Sequence, residues 1–98
     1  MATRNRRVPT AFEELGFSAE EAEHLRIRAD LMIALARLIK DREWTQAEAA
    51  RRLGVAQPRI SDLVRGKIER FTIDTLVTML SHAGADVTVT VKRRRSAA

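Results

Sequence analysis

The stretch Gln46-Ala47-Glu48-Ala49-Ala50-Arg51-Arg52-Leu53-Gly54-Val55-Ala56-Gln57-Pro58-Arg59-Ile60-Ser61-Asp62-Leu63-Val64-Arg65 decides the fold. Thr45 just before it is a good N-cap and Glu48 stands three residues on, so the pattern predicts a short helix over 46–53. Gly54 stops that helix, since glycine enters the left-handed region without a Cβ penalty. A second helix can begin at Gln57, because Pro58 in a first turn gives up an N–H that has no intrahelical partner. It is expected to end at Gly66. Ala50 lies where the two helices must approach closely, and Leu53, Val55, Ile60 and Leu63 fill the wedge between them.

Two helices around a glycine turn could serve a purely structural bundle. Here five positional requirements coincide in register, and the exposed remainder suits nucleic acid, so a helix-turn-helix is expected. Gln57, Arg59, Ser61 and Asp62 project from the first turns of the second helix, the part that enters the major groove in this motif. Arginine pairs with guanine, glutamine with adenine and serine with either base, while Asp62 can accept from cytosine or orient a neighbour. Gln46, at the start of the first helix, and Arg65, Lys67 and Arg70, after the second, lie where phosphate contacts belong. Each could instead be a solvated surface residue, and Arg51 and Arg52 are weaker candidates.

Upstream, Ser18 and Glu21 form a capping box, and Glu20, Glu21 and Glu23 place negative charge where a helix dipole favours it. A helix is expected from Ala19. The apolar set Leu25, Leu31, Met32, Leu35, Leu38 and Ile39 recurs at helical spacing, so one helix to about Asp41 is favoured over two broken near Arg28–Asp30. Phe12, Leu15 and Phe17 around Gly16 suggest a docked turn or short strand, and residues 1–10 a basic, mobile arm. Downstream, Thr72 can cap a helix with Ile73, Leu76, Val77 and Leu80 as its apolar stripe, ending at Gly84. The period then changes to two: Val87, Val89 and Val91 alternate with Thr88, Thr90 and Lys92, which predicts a strand. Residues 92–98 make a basic tail, which leaves 11–91 as the domain.

A chain of 98 residues has room for one core. Its net charge of +5 suggests a polyanionic partner, but location matters more than total. Arg4, Arg6, Arg7, Lys92, Arg93, Arg94 and Arg95 supply seven of 18 cations, leaving 11 against 13 acids, so the body is slightly acidic. Within it, residues 51–70 carry six cations against Asp62 and Glu69, so the positive field is local.

Other function classes find little support. There is no cysteine, which removes disulfides and thiol chemistry. The longest apolar stretch, Leu31–Ile39, is interrupted by Arg37 and is too short to span a membrane, and residues 1–10 lack the apolar run of a signal peptide. A cytoplasmic protein is expected. His24 and His82 lie far apart, no pair has metal-ligand spacing, no glycine-rich phosphate loop occurs and Ser61 has no base partner. No enzyme, cofactor or metal is expected; His24 reads as a helix-surface residue and His82 as a last-turn residue favouring the dipole.

The segments Thr45–Ala50, Leu53-Gly54-Val55, Gln57–Leu63 and Arg65-Gly66-Lys67 resemble the Xre/Cro repressor family. Within it, Gly16–Ala22, Arg28–Met32 and Phe71–Leu76 resemble HigA-like antitoxins and related stand-alone regulators. The resemblance spans roughly Thr10 to Val91. It implies a lambda-repressor-like, mainly α bundle of about five helices, operator binding as a dimer, and neutralisation of a RelE/HigB-like toxin. Ala56 departs from the Ser or Thr common before the reading helix, so one cap or phosphate contact is expected to be missing.

A solitary strand leaves its backbone unpaired. A two-fold homodimer would let residues 86–91 pair antiparallel with their own copy through Val87, Val89 and Val91, setting two reading helices about one DNA turn apart. The alternative partner is Val8–Phe12 of the same or the other chain. The five carboxylates between Glu13 and Glu23 could receive a basic protein partner, or form a solvated helix start.

Overall fold

The computed structural model describes residues 11–93, in five helices: α1 Ala11–Glu14, α2 Ala19–Asp41, α3 Gln46–Leu53, α4 Gln57–Val64 and α5 Ile73–His82. A 3₁₀ turn, Ile68–Arg70, separates α4 from α5. The arm of residues 1–10 and most of the basic tail lie outside the described residues.

The capping box at Ser18 forms as expected: its hydroxyl accepts from the Glu21 N–H at 3.1 Å, and its own N–H donates to Glu21 Oε1 at 3.0 Å. The bonds to Ser18, first the backbone N–H and then the hydroxyl, hold the Glu21 carboxyl below its ordinary pKa. From there α2 runs unbroken for 23 residues, on the order of 35 Å at 1.5 Å per residue. Ala22, Leu25, Met32, Leu35 and Ile39 make its buried stripe, and α5 is its most extensive neighbour. Leu53 and Ile60 of the helix pair, Phe71 beyond the 3₁₀ turn and Leu76 and Met79 of α5 close around Leu35. These six are almost entirely removed from water and bring together segments from every part of the chain between α2 and α5.

The helices end by a common device. The N–H groups of Trp44, Val55, Lys67 and Ala85 bond back to the carbonyls of Ile39, Ala50, Asp62 and Leu80, closing Schellman turns. The residue in the left-handed conformation is glycine at 54, 66 and 84 and Glu43 after α2, with φ +56°. Trp44 supplies the apolar contact there, with the guanidinium groups of Arg42 and Arg52 5.2 and 5.4 Å from its ring centre.

Of three local expectations, two are met and one needs correction. Of the two alternatives at Phe12–Phe17, the docked turn forms and the strand does not: α1 is one helical turn, closed by Phe17 N–H to the Phe12 carbonyl and by an edge-on contact of the two rings. α4 ends as expected: Val64 is its last residue, Arg65 its C-cap, and Gly66 takes the left-handed position before the chain winds into the 3₁₀ segment. The strand expected over 87–91 is not formed, and the described residues contain no strand. Ala85 still packs on the core, but Val89 and Val91 are 77% and 88% exposed. A strand needs a second backbone to pair with, and Ala11 and Phe12, part of the intrachain alternative, are spent in α1.

Candidate nucleic-acid interface

The α3–α4 pair is set by fitted contacts. Thr45 accepts from the Glu48 N–H at 3.1 Å and starts α3. Ala49, Ala50 and Leu53 are buried on its inner face, which allows α4 to seat Ile60 and Leu63 against it. The outer face of α3 spends its own charge: Glu48 takes Arg51 at 2.6 Å and Arg52 at 2.7 Å, and these bonds, Arg52's first, hold its carboxyl below the ordinary range. Arg51 and Arg52 are therefore engaged within the helix.

Gly54 is required twice. Its φ of +73° suits glycine, and a Cβ there would come within 2.6 Å of His82 Nδ1. The His82 ring crosses from the last turn of α5 and donates Nδ1–H to the Leu53 carbonyl at 3.0 Å, satisfying an orphan acceptor at the end of α3. His82 is thus more than a dipole partner of its own helix. It ties the end of α5 to the turn that precedes α4.

α4 begins without a side-chain cap, as Ala56 implied; Pro58 occupies its first turn. Gln57 and Arg59 are exposed on that turn, while Ser61 and Asp62 are half-buried. Two of the four proposed base readers have partners in the chain. Arg59 Nη1 donates to the Arg70 carbonyl at 2.8 Å, with its guanidinium over the Phe71 ring. Asp62 accepts from Arg70 Nη1 at 3.5 Å, so it orients a neighbour. Arg59, Asp62 and Arg70, with Ala56, Pro58 and Thr75, border an open groove of about 660 Å³ beside the start of α4.

Of the phosphate candidates, Gln46 is exposed at the start of α3, Arg65 is exposed at the end of α4, Lys67 is half-buried and Arg70 is exposed on the 3₁₀ turn. The chain brings Arg59, Asp62 and Arg70 together, whereas the dimerisation candidates Val87, Val89 and Val91 are exposed on the segment after α5. Sequence reasoning passed over Arg28, whose Nη1 reaches the carbonyls of Ile68 and Phe71 at 3.4 and 3.3 Å. Its partners lie 40 and 43 residues away, and no local pattern announces such a contact.

Among the described residues no helix is long and apolar enough to cross a membrane, and no cluster of His, Asp and Glu could hold a metal ion. No curated protein matches the chain. A family model described as a helix-turn-helix domain matches residues 11–92. A solved structure named as an XRE-family transcriptional regulator is 34% identical, over 74% of this chain and 82% of that one, with a TM-score of 0.70. With the observed helix order and the seating of α4 on α3, these matches make the chain a member of the helix-turn-helix family, of the XRE regulator type.

Proposed function

We propose that the chain is a cytoplasmic transcriptional repressor that binds a DNA operator as a homodimer, with α4 as its reading helix. The observation that carries this is the division of α4 into two faces. Ile60 and Leu63 are buried against the core, and Gln57 and Arg59 stand exposed on the first turn. Gln57, Arg59 and Ser61 read base edges, and Arg59 exchanges the Arg70 carbonyl for a guanine edge on binding. Asp62 either accepts from cytosine or keeps Arg70 in place. Gln46, Arg65, Lys67 and Arg70 contact phosphates, supplying affinity without sequence information.

The dimer is built by residues 86–91 pairing antiparallel with their copy through Val87, Val89 and Val91. Support comes from the exposed valines on a segment whose alternation is that of a strand. The experiment is deletion of residues 85–98, followed by solution mass and by selection of binding duplexes from a random pool. The intact chain is expected to be a dimer that enriches an inverted repeat with half-sites about 10 base pairs apart, and the shortened one a monomer that does not. A dimer unchanged by the deletion overturns the pairing.

A second reading adds neutralisation of a RelE/HigB-like toxin. It is favoured by the carboxylate-rich stretch 13–23, beside which Leu15 and Phe17 are 76% and 42% exposed, a surface suited to a basic protein. The pair Gln57→Ala and Arg59→Ala is expected to abolish operator discrimination and spare toxin binding. Loss of both activities would count against separate sites.

A further inference from the structure

The backbone of the 3₁₀ turn is held by side chains from two helices. Arg28 of α2 donates to the carbonyls of Ile68 and Phe71, and Arg59 of α4 donates to that of Arg70. Apolar anchoring is present as well, since Phe71 is buried and Ile68 packs against the core. Backbone bonds from the Arg70 and Phe71 N–H groups to the Lys67 and Ile68 carbonyls set the winding of the turn. The side-chain bonds from Arg28 and Arg59 tie the wound turn to α2 and α4, which bears on where Lys67 and Arg70 point.

On these grounds we infer that Arg28 is a positioning residue for DNA binding: from α2, it holds the Ile68–Phe71 turn so that Lys67 and Arg70 face the phosphate backbone. The inference rests on the reading that these two cations contact phosphates. It gains weight from the reader itself. Once Arg59 leaves the Arg70 carbonyl for a base, the Arg28 bonds are the remaining side-chain hydrogen bonds to the backbone of this turn. Arg28 does not touch DNA in this account, so its charge matters through geometry alone.

A control sits two residues away. Arg26 is also on α2, carries the same charge and is paired with Glu23 at 3.1 Å and Asp30 at 3.4 Å, away from the turn. The experiment measures binding of the full chain to a 30-base-pair mixed-sequence duplex across a salt series. Each phosphate contact contributes about 0.9 to the slope of log K against log salt. Lys67→Ala and Arg70→Ala are each expected to flatten the slope by about that amount. Arg28→Ala is expected to flatten it by about as much as one of them and weaken binding by about tenfold, while Arg26→Ala leaves the slope unchanged. In the Lys67→Ala/Arg70→Ala background, Arg28→Ala is expected to do nothing further.

Three results overturn the inference: a wild-type slope in Arg28→Ala, an equal loss in Arg26→Ala, or full additivity in the double background, which would mark Arg28 as a direct contact. Should Arg28→Ala not fold, Arg28→Gln, which is shorter and has a single amide donor group, decides on the same readout; a wild-type slope there also overturns it. An unchanged slope in Lys67→Ala/Arg70→Ala removes the phosphate reading itself, and that outcome is visible whatever Arg28 does.

Discussion

The α3–α4 pair and residues 86–93 carry equally plain sequence patterns, yet only the first takes up its structure within one chain. The helix pair finds everything it needs nearby: Thr45 caps α3, His82 satisfies the Leu53 carbonyl, and Leu35, Leu76 and Met79 receive Leu53 and Ile60. The valine segment has the alternation of a strand but pairs with no backbone among the described residues, and Val89 and Val91 stay in water. A pattern states what a segment can become. A partner decides whether it does.

The sharpest way to break this comparison is to remove one side chain from each region. Leu53→Ala empties a fully buried position and is expected to cost about 2–5 kcal/mol, seen as a lowered denaturant midpoint. Val89→Ala at low protein concentration is expected to leave that midpoint unchanged and to lower the dimer fraction in sedimentation. A large monomer destabilisation from Val89→Ala would mean that the segment is already packed.

The turn comes next. Gly54→Ala adds a Cβ at positive φ and drives it into the His82 ring, and an expected loss of about 1–3 kcal/mol follows. In a His82→Ala background the same change is expected to cost less, because only the backbone strain is left. Equal costs in both backgrounds would show that the ring contact is irrelevant.

Two helix ends differ from their counterparts in the opposite sense, and both can be improved. Ala56→Ser supplies α4 with the cap that Thr45 gives α3, and is expected to stabilise by about 0.5–1 kcal/mol. Glu43→Gly gives α2 the left-handed glycine of the other Schellman turns, with a gain of similar free energy that is read as a raised thermal midpoint. No gain from Glu43→Gly would mean that Trp44 and its two arginines already fix that turn.

The smallest effect is at the start of α2. Glu21 is stabilised as the carboxylate in the folded chain, so its contribution is present above its ordinary pKa and is lost as pH falls through the lowered folded value. The thermal midpoint of wild type minus that of Glu21→Ala is expected to be constant near neutrality and to shrink on acidification below the ordinary carboxylate range. A gap that widens in acid would contradict the capping box.

What was legible in the sequence follows the same division. The starts of α2, α3 and α5 were readable from Ser18, Thr45 and Thr72, because caps act over three residues. The core positions Ala50, Leu53, Ile60 and Leu63 were readable because helical spacing puts them on one face. The end of α2 at Asp41 was readable from the apolar spacing, whereas the left-handed position after it was not, since Glu43 rather than a glycine takes it. At α1 the sequence left a docked turn and a strand open, and the meeting of Phe12 with Phe17 across a turn decides for the first. The links Arg28–Ile68, Arg59–Arg70 and His82–Leu53 were not legible at all: each joins distant or differently oriented segments through a side chain and a carbonyl, and a carbonyl has no signature in sequence.

The central claim is that α4 reads DNA sequence, and the most direct measurement is a ratio of affinities. A duplex enriched from the random pool and a mixed-sequence duplex are bound at one salt concentration by the wild type and by the Gln57→Ala/Arg59→Ala variant. With about 1–3 kcal/mol of discrimination per bidentate base contact, the variant is expected to lose at least about thirtyfold of the ratio and to keep its binding to the mixed duplex within a few-fold. A ratio equal to that of the wild type would contradict the assignment of α4 as the reading helix.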